Sequence, residues 1–206
     1  IKQNDNGHIL WIHGSDFSRY FKRMHSIPIG PQCLGYLQDQ LAFGKSVSEE
    51  VLKTLKLRFR PNVKFKWDEI SYFEDAGLGK IIDYTNVKLH KRMNGCRLCV
   101  STDNSTVFLE TLAINFPTIL FFNPAHWRLR PKAQPFYDEL KRVGILHDSP
   151  ESAAELVNRI FENPSDWWFQ SERQRIIKFF CKEFAFTRSN WLEDWKRELK
   201  SLSSKI

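Results

Sequence analysis

Five consecutive small polar residues, Thr102, Asp103, Asn104, Ser105 and Thr106, stand between the apolar runs Leu98–Val100 and Val107–Leu109. Hydroxyl, amide and carboxylate groups at such a junction suit a strand-to-helix turn. The first N–H groups of a helix have no partner within it, and the aligned peptide dipoles leave about half a positive charge there. That arrangement is an anion site, and phosphate is a natural occupant. Ser105 and Thr106 would add hydroxyl donors. Glu110 lies one turn beyond Thr106 on the same face, where it can accept from the hydroxyls of a more distal sugar. A single N-cap, contributing ~1 kcal/mol, accounts for one polar residue at the turn rather than five.

The elements that would position these groups follow from the pattern of the chain. His8–Gly14 is a short β-branched and aromatic run closed by Gly, and Leu57–Arg60 alternates before Pro61; both read as strands. Asn86–Leu89 is a weaker strand, Leu98–Thr102 and Thr118–Phe122 stronger ones, and Ile145–His147 the last. Between them, Leu34, Leu37, Leu41 and Ala42 recur at helical spacing, and Ser48 can cap a helix opening Glu49-Glu50. Asn104–Ile114 and Ala133–Val143 are helical, the second stopped by Gly144. Ser149-Pro150-Glu151 starts another helix, and everything after Asn163-Pro164 is helical. Strands alternating with helices give a Rossmann-like α/β parallel sheet flanked by helices over residues 1–163, with an aromatic-rich helical C-terminal tail over 164–206 packing on it.

In an open sheet of this kind, ligands bind beyond the carboxyl ends of the strands. The loops there supply Gly14, Ser15, Arg19 and Tyr20 after the first strand and Arg60 after the second. The 102–106 turn comes next, then Asn123, His126, Trp127, Arg128 and Arg130, then His147, Asp148 and Ser149. Each histidine reads as well as an ordinary surface or capping residue, Trp127 as well as core, and Arg130 as a salt-bridge partner of Asp138 or Glu139.

Composition narrows the classes. No apolar run approaches the ~20 residues of a membrane helix. Cys33, Cys96, Cys99 and Cys181 are too scattered for a disulfide framework, and Cys96–Cys99 is half of a zinc spacing without its other half. They read as structural free thiols in a reducing, cytoplasmic compartment, with no metal and no cofactor implied. The net charge of +7 reads for most of its residues as solvated faces, and otherwise suits anionic small molecules, an anionic membrane surface or nucleic acid. The opening Ile1, in place of an initiator Met, reads as a cut within a longer protein.

The stretches "STDNSTVFLETLAINFPTILFFNP", "HWRLRPKAQPFYDELKRVGILHDSPESAAELVN" and "NWLEDWKREL" resemble a family of bacterial transferases associated with surface-carbohydrate synthesis. That family is similar to GT-B enzymes, and its middle motif resembles the "TDxSS…E" turn of glycerophosphate and capsule-polymer transferases. The resemblance spans about Ile9 to Leu199 and is densest over 102–157. It implies the C-terminal, nucleotide-binding half of a two-domain transferase: Ser105 and Thr106 on the donor diphosphate, Glu110 on the ribose or transferred group, and Asn123, His126 and Arg130 lining the donor pocket. It also implies a missing N-terminal domain carrying the acceptor, so no catalytic base is assigned here. Partners on this reading are a nucleotide-activated sugar or alcohol phosphate and that domain, with peripheral association at the inner face of the membrane. Terminal helices of such enzymes cross back to the partner domain, which would leave some rings of the tail exposed. Asn115 stands where related transferases have Gly, and Asn is the next-best left-handed residue. The alternatives are a nucleic-acid-binding module and a nucleotide-sugar epimerase-like enzyme.

Overall fold

The computed structural model describes residues 2–14, 30–59 and 68–204. Its centre is a sheet of five parallel strands, β1 (Ile9–Ile12), β2 (Leu55–Arg58), β3 (Leu98–Ser101), β4 (Thr118–Phe121) and β5 (Leu146–His147), in the order β2-β1-β3-β4-β5. The expected α/β class and parallel sheet are both present.

Side chains alternate across a strand, so each β-residue commits to one face. Ile9 and Trp11 join a large core with Leu55, Leu57, Val100 and Phe121, and Leu10, Ile12 and Cys99 form a smaller one with Met93, Cys96 and Phe116. Both faces are buried, which is why the strands are apolar runs rather than alternating ones. On the larger side, α1 (Gln32–Ser46) packs against α7 (Pro150–Ile160). α5 (Thr106–Ala113) and α6 (Gln134–Arg142) receive α9 (Ser171–Phe184).

The remaining helices are short: α2 (Glu49–Thr54), α3 (Glu69–Asp75), α4 (Leu89–Met93) and α8 (Pro164–Trp168). A final helix, α10 (Trp191–Ser203), buries none of its residues. The aromatic tail therefore divides. Trp167, Trp168 and Phe180 enter the core, whereas Trp191 and Trp195 stand 61% and 62% exposed.

Two sequence expectations are corrected. Asn86–Leu89 is not a strand: three residues of extended loop lead into α4, because one apolar pair at Val87 and Leu89 cannot anchor an edge. In α1 the inward face is Cys33, Tyr36, Leu37, Gln40, Phe43 and Gly44, while Leu34 is exposed. The helix is turned so that two polar groups point inward, and each has a reason. Gln40 accepts a buried hydrogen bond from Trp11 Nε1 at 3.1 Å. Tyr36 braces the candidate site. The four cysteines are free thiols, three of them buried.

Candidate functional site

The strand order reverses between β1 and β3, the kind of position at which open α/β sheets hold ligands beyond the carboxyl ends of their strands. Ile12 faces Ser101 in the register, so the loops beginning at His13 and Thr102 emerge side by side. A directed chain of hydrogen bonds ties them. Gly14 N–H donates to the Tyr36 hydroxyl at 2.8 Å, and Thr102 Oγ1 donates to the Ile12 carbonyl at 2.9 Å. The 2.7 Å Tyr36–Thr102 contact must then run from the phenol O–H to Thr102. Burial holds the Tyr36 phenol well above its usual pKa, so it remains a donor at any physiological pH.

Thr102, one of the expected ligand contacts, is thus fully buried and doubly engaged within the fold. Its neighbours are also wired inward. Asp103 is 8% exposed and accepts from Ser105 Oγ at 2.6 Å. Its carboxylate lies so close over Gly14 that a Cβ there would overlap Asp103 Oδ2. Asn104 accepts from the Tyr137 hydroxyl of α6 at 2.8 Å. These three residues build the turn. Ser105 is half-buried and Thr106 exposed at the first turn of α5, and Glu110 is exposed one turn on.

Ser105 occupies the N-cap position with extended backbone, yet its side chain does not cap α5, because the Ser105 hydroxyl is turned to Asp103. α2, α3, α7 and α8 each have a side chain accepting from their first turn: Ser48, Asp68, Ser149 and Asn163.

The loop after β4 serves several purposes. Asn123 uses its side chain on Ala125 N–H at 3.0 Å, so it shapes the loop. His126 packs on α1, where a Cβ at Gly35 would lie 3.1 Å from His126 Cε1. Beside it, burial lifts the Asp39 carboxyl above its usual range, partly offset by the charge of His126. Trp127 is core, against Tyr36 and Phe122. Arg130 is exposed, and no described acid pairs with it, Asp138 and Glu139 included. A cleft of about 340 Å³ opens between this loop, α6 and the end of β5, lined by Phe122, Trp127, Arg128, Gln134, Tyr137, Asp138 and others.

His147 is structural. Its Nε2 meets the Gly144 carbonyl at 3.1 Å, so that nitrogen carries the proton, and Nδ1 accepts from Ser152 Oγ at 2.8 Å. Ser15, Arg19, Tyr20 and Arg60 lie outside the described residues. Sequence reasoning missed Tyr36 and Tyr137, whose hydroxyls hold the turn from two helices. The available signal was a tyrosine in each apolar stripe, a residue whose hydroxyl needs a partner once buried.

A profile of the LIC12162 family transferases matches residues 1–199. The chain belongs to that family. A solved structure of WaaG, a glycosyltransferase involved in lipopolysaccharide biosynthesis, is similar with a TM-score of 0.46 at 14% identity, over 89% of this chain and 44% of that one. The chain thus spans less than half the length of that structure. No curated protein matches it in sequence.

Proposed function

We propose that this chain is the nucleotide-binding part of a glycosyltransferase-like enzyme of surface-polysaccharide synthesis, holding the diphosphate of an activated donor at the start of α5. The observation that carries the reading is the first turn of α5, which starts at the β1/β3 switch point with the Ser105 side chain making no cap hydrogen bond and with Thr106 exposed among the described residues. Peptide N–H groups and the Thr106 hydroxyl there would take the phosphate oxygens, with the Ser105 hydroxyl turning from Asp103 to join them, and Glu110 the ribose or transferred group. Arg130, exposed and without an acid partner among the described residues, would neutralise the second phosphate, as would Arg19 and Arg60. A helix start and arginine aimed at a leaving diphosphate stabilise charge as it develops, the term on which such transfers most depend.

On this reading the general base and acceptor belong to another domain of a GT-B-like protein. That domain would also cover the Trp191, Leu192, Trp195, Leu199 and Leu202 face of α10, which nothing described covers. No helix of the described residues is long and apolar enough to cross a membrane; on this reading the chain would associate with a membrane peripherally, at its cytoplasmic face. The nucleic-acid alternative loses support because the strand aromatics Trp11 and Phe121 are buried, leaving no stacking platform on the sheet.

Calorimetric titration with UDP, CDP and GDP tests the proposal. One of them should bind, and the double substitution Ser105→Ala, Thr106→Ala should weaken it by ~1–3 kcal/mol through lost charged hydrogen bonds. Absence of binding by all three at millimolar concentration rejects the site. Unchanged affinity in the double variant removes the two hydroxyls from it.

A further inference from the structure

Register places three side chains in one row at the carboxyl ends of the strands. Ile12 pairs with Arg58 on one side and with Ser101 on the other. Side chains of strands in register alternate together, so the three project to the same face. Ile12 belongs to the smaller core, which α4 covers through Leu89 and Met93 and on which Val107 of α5 also packs. Arg58 and Ser101 therefore lie on that face too.

Two polar atoms of this row are left over. Arg58 Nη1 and Ser101 Oγ are both buried and have no hydrogen-bond partner among the described residues. Arg58 is only 4% exposed, and its Nη2 donates to the Val87 carbonyl. The nearby Asp83 carboxylate does not fill the gap. It is committed to Arg92, to the Thr85 N–H at 3.1 Å and to the Thr85 hydroxyl at 2.7 Å. Burial lowers the pKa of Arg58, the charge of Asp83 raises it and that of Arg92 lowers it again, so one acid is divided between two guanidiniums. A guanidinium keeps its proton, and a buried charge without a full partner is costly.

The surroundings decide which anion would fit. Two donors and one unbalanced positive charge are available, and the neighbours Ile12, Leu89 and Val107 are apolar. A carboxylate needs no more than this, having one negative charge and two oxygens in a plane. A phosphate would press further oxygens and a second charge against apolar groups, leaving their hydrogen bonds unmade. Arg58 and Ser101 stand two strand spacings apart, ~9.6 Å between Cα positions, and the arginine is the side chain long enough to shorten that gap. The Val87 carbonyl belongs to the exposed segment 84–88, so one thickness of chain separates this row from solvent.

We propose that Arg58 and Ser101 form a carboxylate-binding site on the α4 face of the sheet. One carboxylate oxygen accepts from Arg58 Nη1 and the other from Ser101 Oγ, and the rest of the ligand passes the 84–88 segment to solvent. The site does not rest on the nucleotide reading. A free short-chain acid and the acid group of a sugar offer the same chemistry.

Titration calorimetry on the chain without nucleotide, using acetate, glucuronate, glucose and inorganic phosphate, provides the test. The better of the two carboxylates should bind at least roughly tenfold more tightly than glucose or phosphate. Arg58→Met, which keeps an apolar stem of similar length, should abolish that binding, and Ser101→Ala should weaken it about tenfold. Tighter binding of glucuronate assigns the acid group of a sugar, and binding of acetate at least as tight assigns a free acid; either upholds the site. No binding by either carboxylate, phosphate or glucose bound as tightly, or carboxylate affinity unchanged in either variant that folds, overturns the proposal. Should Arg58→Met fail to fold, Ser101→Ala alone decides.

Discussion

Gly14 shows how far one missing atom can determine a site. Asp103 occupies the space a methyl group would need, and the Gly14 N–H must remain aimed at Tyr36. Gly14→Ala should therefore destabilise the protein by ~1–3 kcal/mol, the usual cost of forcing an atom into packed surroundings. Adding Asp103→Ala removes the obstructing carboxylate, so the double variant should recover part of the loss in urea unfolding. Additive losses would mean that the two residues are independent. The polar cluster at 102–106 was visible in the sequence, but its division of labour was not. Thr102, Asp103 and Ser105 look alike as small polar side chains, and only the tertiary positions of Tyr36, Ile12 and Gly14 decide which of them face inward.

At the level of elements, the clearest predictions came from local chemistry that does not need the rest of the fold. Ser149-Pro150 was expected to open a helix, and Ser149 Oγ does accept from Ser152 N at 3.2 Å with Pro150 at the first position. Ser149→Ala should cost α7 about 1 kcal/mol, read as a lowered melting temperature with unchanged circular dichroism. Gly144 and Asn115 adopt the expected left-handed conformation, with φ of 75° and 54°. The orientation of α1 was less legible, because Gln40 faces inward for Trp11 on β1 and Tyr36 for Gly14 and Thr102 just beyond β1 and β3, partners that lie far away in sequence. The short helices α3 and α4 gave too few turns for a periodic pattern to emerge.

For the molecule as a whole, the buried histidines set the acid limit. His13 comes within 3.8 Å of Glu69, near enough for an ion pair if both were charged, but complete burial dominates and lowers its pKa to about 3. His147 and His8 are also lowered, chiefly by burial. A group whose folded pKa lies below its unfolded value of ~6.5 leaves stability unaffected above that pH. As the pH falls further, the unfolded chain takes up a proton that the native state refuses. Unfolding free energy should thus drop between about pH 6.5 and 3, by up to ~1.4 kcal/mol per unit for His13 alone. His13→Gln should flatten that slope in urea titrations at stepped pH; an identical slope would transfer the effect to other groups. The apolar face of α10 was legible as a stripe, whereas its exposure was not, since hydrophobic spacing states that a helix must be covered and never by what.

The relay from Gly14 through Tyr36 and Thr102 to Ile12 has a kinetic corollary. Each donor in it already has its acceptor, so the geometry of this corner is established during folding rather than at encounter. On the proposed function, an anion arriving at α5 would meet a preassembled corner, and its capture should be governed by diffusion and long-range attraction instead of by conformational search.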